Sequence, residues 1–296
     1  MRLVSGLCIA LTLGMSDAVA APADKAPFAL AAPDRMVSGG RAVQVSLRQP
    51  DIETTYDTGR VAESYGGGLL DYWIFDAFTR DRRETLGYRA KTQAEKIVVP
   101  LRTALWNFDT AGLALAATKA GLNKLDWFQA QGFTVNRDGD RATLLATAGT
   151  PQFAFVDYRY EVSPDFTQIR VLGEISLQRL VRPKGASAAT PEVIYRQRIM
   201  SVVQLATRSY EPRENAARWS ADHGKLARAA LTAAFGQFED LLPYALGLSQ
   251  KEIDGLSAKN SEKAFAAGFY GPLIRRDGPD NLLIWSKGLI RVQTIS

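Results

Sequence analysis

The chain holds one cysteine, Cys8, and one histidine, His223, in 296 residues. Cys8 lies inside the N-terminal apolar run, so the rest of the chain has none. That excludes a disulfide framework, a thiolate nucleophile and a cysteine-ligated metal from the body of the protein. A single histidine removes most metal sites and leaves room for at most one Ser-His-Asp arrangement. Gly-x-Ser-x-Gly, Ser-x-x-Lys and His-Glu-x-x-His are all missing beyond residue 20. Beyond the same point no uncharged run has the length and helical character of a membrane span, and no internal repeat is present. No cofactor is expected.

What is present begins with an export signal. Arg2 supplies a positive start, Leu7 to Leu13 a short apolar run, and Ala18-Val19-Ala20 a small-x-small cleavage site before Ala21. Cleavage between Ala20 and Ala21 removes Arg2 and Asp17 and leaves the net charge at +5. With Ala and Arg prominent and no cysteine, the expected address is a Gram-negative periplasm. A basic exported protein meets anionic lipid headgroups, lipopolysaccharide or cell-wall polymer. Its basic residues are spread out without a dense run, so nucleic acid is not an expected partner.

The stretch from Gln152 to Leu180 reads as two long strands joined by a tight turn. Ala154, Val156, Tyr158, Tyr160 and Val162 share one face, as do Ile169, Val171, Gly173, Ile175 and Leu177. Bringing both sets together requires Tyr160 opposite Val171 and Val162 opposite Ile169, with Pro164 second in a type I turn. A slip by one residue would bury Arg170 and Glu174. The same register sets Glu161 opposite Arg170 and Asp157 opposite Glu174. Facing carboxylates are what a hydrolase could use, and Arg159 on that face is placed to screen them.

Around this hairpin, residues 21–37 are rich in Ala and Pro and read as a disordered lead-in, with one α+β domain over residues 38–296. A short strand is expected at Ala42 to Leu47, with Gln44 and Ser46 on its polar side. Helices are expected from about Glu84 to Phe108, broken or kinked at Pro100, and from Ala111 to Gln131, ended by Gly132. Phe133 to Val135 and Ala142 to Ala148 read as a hairpin about Asp138-Gly139. A strand over Val193 to Ala206 precedes a long helix from about Asn215 to Leu242, with His223 at its core edge. Ser249 to Asp280 reads as polar chain with at most short helices, and Leu282 to Trp285 and Leu289 to Val292 as a closing hairpin. The fold expected is α+β, an antiparallel sheet with helices packed on one face.

One segment points to a partner. Leu69, Leu70, Trp73, Ile74 and Phe78 form a helical stripe after Gly66-Gly67-Gly68, and Arg80, Arg82 and Arg83 follow. Such a helix can lie in an anionic membrane interface or dock in the groove of an envelope protein, although helices apolar around most of their girth are usually core. The triple glycine lacks phosphate-loop spacing and reads as a hinge or cap. The tryptophans, Trp106, Trp127 and Trp285 among them, are far apart on apolar stripes, which points to core packing rather than a sugar groove.

The runs GGGLLDYWIFDAF, AEKIVVPLRTALWNFD and LDWF, between Gly66 and Phe128, resemble a segment of uncharacterised secreted and periplasmic proteins of Gram-negative bacteria. That resemblance implies an envelope address and carries over no site residue. The expectation is an exported protein that acts by binding, as an accessory or structural part of an envelope assembly. A periplasmic binder of a small ligand or lipid and a carboxylate-based hydrolase stay open beside it.

Overall fold

The computed structural model describes residues 26–55, 79–138, 140–185, 188–256, 258, 261–278 and 281–296, the side chains of residues 79–87 excepted. Ten strands form one mixed sheet: β1 (Arg41–Leu47), β2 (Glu53–Thr54), β3 (Ala130–Asn136), β4 (Gln152–Val162), β5 (Gln168–Val181), β6 (Thr190–Leu205), β7 (Lys263–Ala266), β8 (Phe269–Arg276), β9 (Leu282–Trp285) and β10 (Leu289–Ile295). Their order is β3-β1-β4-β5-β6-β10-β9-β8-β7, with β2 beside β4. The helices are α1 (Ala32–Arg35), α2 (Thr79–Ala104), α3 (Thr110–Asn123), α4 (Ala142–Thr147), α5 (Pro212–Gly236), α6 (Phe238–Gly247) and α7 (Gln250–Leu256).

The central hairpin has the register its alternation demands, with Tyr160 opposite Val171, Val162 opposite Ile169 and Glu161 opposite Arg170. Its turn closes by Phe166 N–H donating to the Ser163 carbonyl, with Pro164 in second position. Phe166 then takes a left-handed φ of 57°. A bulky residue holds that conformation only when its surroundings impose it. Here the ring is fully buried and its carbonyl accepts from Trp219 Nε1 at 2.7 Å.

The sheet is mixed, not antiparallel. β1 runs parallel to both β3 and β4, and β10 parallel to β6. β1 is buried along its whole length, Gln44 and Ser46 included, as befits a parallel strand covered on both sides. Strand direction depends on the chain that lies alongside, which alternation does not report.

α3, α5 and α6 cover one face, and α2 packs on α5 and reaches β2. Their core includes Tyr158, Phe235 and Phe238, with ring centroids 4.9–5.7 Å from Tyr158. Gly173 makes that layer close. A Cβ there would lie 2.3 Å from Phe238 Cε1, so the strand passes directly under the ring. The opposite face carries two small apolar patches. At one end α4 sets Leu144 over Ala42, Phe153 and Phe155, and at the other β7 and β8 fold over Val202, Ile284, Ile290 and Val292.

Several segments depart from the pattern of the sequence. α2 runs unbroken through Pro100, whose solvent-side position leaves the unpaired Lys96 carbonyl to water. α3 stops at Asn123, eight residues early, because the carbonyls of Trp127 and Phe128 turn to the Arg41 guanidinium. Gly132 therefore falls inside β3. Ala142–Thr147 is helix, not strand. Asp140 accepts from Ala142 N–H and Thr143 Oγ1 and starts it, and these bonds hold the Asp140 carboxyl below its ordinary pKa. Ser249 to Asp280 contains β7 and β8. The lead-in is in place from Ala26, where Pro27 accepts from Arg196 N–H, Leu30 is buried and Phe28 packs edge-on to Trp285.

Candidate functional site

Between the two patches the outer face of the sheet is uncovered and forms a trough of about 850 Å³. Strand alternation builds its floor. One cross-strand row is Ser46, Asp157, Glu174 and Arg198, and the next is Arg159, Leu172, Met200 and Ile290. The rim comes from Arg48, Gln49 and Glu53 on one side and the turn Ser286–Gly288 on the other. That turn is pressed down on β6, since a Cβ on Gly288 would lie 2.5 Å from the Arg198 carbonyl oxygen. Lys287 is thereby held near Arg198.

The break between β1 and β2 is sealed by a side chain. Gln49 Nε2 donates to the Tyr160 carbonyl at 2.6 Å, and its Oε1 accepts from Tyr160 N–H at 3.0 Å. The amide thus takes the place of a strand along β4 and fixes neighbouring Arg48 at the mouth of the trough.

The facing carboxylates are as the register requires, Asp157 opposite Glu174. Asp157 is bound by Arg141, which lies 4.6 Å over the Phe155 ring. Glu174 meets Arg196 at 3.3 Å and Arg198 at 3.5 Å. Both floor acids are therefore matched by arginine. Arg48, Arg159 and Lys287 make no ion pair among the described residues. Only Glu53 opposes them on the rim, so the trough carries an excess of positive charge. Lower on the same face Glu161 and Arg170 pair at 3.6 Å. Burial pushes the Glu161 carboxyl up and the Arg170 guanidinium down from their ordinary values.

A second cleft, of about 530 Å³, opens at the carboxyl ends of β1 and β3 and shares Arg48 and Gln49 with the trough. Trp106 stands in it 71 % exposed, beside Asn107, Phe108, Asp51 and Arg137. Trp219 and Trp285 are core, as their stripes suggest, and Trp106 is not. The helix expected to run to Phe108 stops at Ala104, which leaves Trp106 outside it, and the sequence carried no signal for that.

Sequence-predicted residues fare unevenly. Leu69, Leu70, Trp73, Ile74 and Phe78 lie outside the described residues, as do Gly66 to Gly68 and the Ala20–Ala21 cleavage pair. Arg80, Arg82 and Arg83 fall in the first turns of α2, their side chains outside the description. His223 is not at the core edge. The helix breaks at Ala221–Gly224, and His223 is exposed with φ 57°. The break lets Gly224 approach Ala104, where an added Cβ would be 3.0 Å from the alanine methyl. Among the described residues, no cluster of three or more His, Cys, Asp or Glu could hold a metal ion, and no helix is long and apolar enough to cross a membrane.

No family model matches the chain, and neither a curated protein sequence nor a solved structure matches it.

Proposed function

We propose that this is an exported periplasmic envelope protein that acts by binding, and that the trough on the open sheet face receives an anionic component of the envelope. The observation that carries the reading is charge left over in a preformed concavity. The floor acids already have arginine partners, while Arg48, Arg159 and Lys287 have none among the described residues. The backbones of Arg159 and Lys287 are fixed on β4 and a tight turn, so only their side-chain rotamers must be ordered when an anion arrives. The half-buried Leu172 and Met200 give the same ligand an apolar surface. An anionic membrane surface or an acidic face of an envelope protein presents matching charge. The interior of the molecule favours the outer face as the site, because Tyr158, Phe235 and Phe238 fill the centre of the sheet–helix layer.

Two measurements test it. N-terminal sequencing of the protein from a periplasmic fraction is expected to begin at Ala21. Co-sedimentation with outer-membrane fragments containing lipopolysaccharide is expected to be salt-sensitive and to weaken about tenfold when Arg159, Arg198 and Lys287 are all changed to Gln. Equal retention of wild type and variant would remove the trough from the account.

A further inference from the structure

We propose that the cleft around Trp106 is a saccharide subsite that takes a sugar bearing a carboxylate. The cleft adjoins the trough at Arg48 and Gln49, and the assignment goes beyond the anion-binding reading of the trough. An indole normally serves a core, and Trp106 serves none. Its loop is nonetheless firmly held. Arg228 donates to the carbonyls of Ala104 at 2.7 Å and Trp106 at 3.3 Å and lies 5.2 Å over the Phe108 ring. Phe108 N–H donates to Leu105, Thr110 N–H to Phe108, and Asp109 caps α3 through Gly112 N–H at 2.8 Å. Asn107 takes φ 65°, a left-handed turn that asparagine tolerates and that separates Trp106 from the following helix. A large apolar plane is thus presented to solvent on a fixed support.

The chemistry of the surround selects the ligand. An indole plane removes water from the C–H face of a pyranose, while planar polar side chains at the rim meet its hydroxyls. Asn107 and Asp51 are placed at that rim, while the Gln49 amide is taken up by Tyr160. Arg48 and Arg137 have no ion-pair partner among the described residues, and a guanidinium fork suits a carboxylate. The cleft also lies outside the carboxyl ends of the parallel strands β1 and β3. Its size lies within the range of small-molecule sites.

The mature protein is titrated with tetragalacturonate and with neutral chitotetraose, read by calorimetry and tryptophan fluorescence. Tetragalacturonate is expected to bind saturably with a fluorescence change, and chitotetraose about tenfold more weakly. Trp106→Ala should weaken tetragalacturonate at least about tenfold with the melting temperature unchanged. Trp106→Phe should keep most of the affinity and abolish the fluorescence change. Arg137→Gln should weaken the acidic oligomer and leave the neutral one as it was. No binding by wild type, equal affinity for the two oligomers, or a Trp106→Ala protein that binds as wild type each overturns the assignment. So does displacement by uridine monophosphate at lower concentration than by free oligomer. Retention on outer-membrane fragments separates the two proposals. If the Arg159, Arg198 and Lys287 triple variant loses it while Trp106→Ala leaves tetragalacturonate binding intact, the saccharide subsite fails and the anion-binding trough stands. The reverse pattern leaves the subsite standing and removes the trough.

Discussion

The two faces of one sheet are built from the same strands and have opposite fates. On the covered face Tyr158, Val171, Ile175 and Ile199 meet α5 and α6, and even Gly173 is pressed against a ring. On the open face the alternate residues of those strands are Asp157, Arg159, Glu174 and Arg198, with apolar cover only at the ends. One face has no room for a ligand at its centre, and the other has a trough with unmatched cations. Stability should therefore reside on the first face and binding on the second. Each face can be perturbed without the other because strand residues alternate.

The largest loss should come from the covered face. Phe238→Ala opens a void against Gly173 and Tyr158 and is expected to cost about 4 kcal/mol in denaturant unfolding. Gly173→Ala should be similarly damaging, and Phe238→Leu should partly rescue it. Additive effects in that pair would mean the contact is not as close as described. Arg41 comes next. It is fully buried, bonded to the carbonyls of Asp34, Trp127 and Phe128 and to Gln152 Oε1, and lies 4.9 Å over the Trp127 ring. Arg41→Met leaves the Trp127 and Phe128 carbonyls and Gln152 Oε1 without the Arg41 donor, and a loss of about 3 kcal/mol is expected.

On the open face the pair Glu161–Arg170 is a smaller, pH-dependent case. Burial raises the folded pKa of Glu161, and Arg170 works to lower it. Arg170→Met should destabilise by about 2 kcal/mol at pH 7. Without the cation the folded pKa rises further, so the variant's deficit should shrink as pH falls through that value, because protonated Glu161 no longer needs a partner. Arg170 also lies 5.1 Å over the Phe269 ring, and a deficit that is constant from pH 7 to pH 4 would show that it acts through that packing instead.

Smaller still is Glu95, whose carboxyl is held below its ordinary pKa chiefly by its hydrogen bond from Arg102. A depressed folded pKa gives stability above the unfolded value that is lost as pH falls through the folded one. Glu95→Gln should cost about 0.5 kcal/mol at pH 7, given its solvent screening, and nothing in strong acid. Least of all should be Arg159→Gln, which is expected to leave the melting temperature within error while weakening retention on envelope fragments.

Legibility differs between these regions for physical reasons. The hairpin register was readable because a one-residue slip would bury Arg170 and Glu174. The facing pair Asp157 and Glu174 followed from it, but the arginine that matches Asp157 did not, since Arg141 arrives from the start of α4. α4 itself was misread because a short apolar run suits strand or helix equally, and Asp140 decides between them. Trp106 was assigned to a core by the stripe of α2. Only the helix end and the tie to Arg228 turn it outward.

The amino-acid order alone determined the alternation of β4 and β5, the apolar stripe of α2, the closing hairpin of β9 and β10, and the poverty in cysteine and histidine. These follow from nearest-neighbour geometry and composition. The tertiary structure decided that β1 runs parallel to β4, that Gln49 bridges the gap between β1 and β2, and that Arg48, Lys287 and Trp106 line adjoining concavities. Such features join residues more than two hundred positions apart, as Arg48 and Lys287 are, and the choice among them rests on which surfaces fit when the sheet closes.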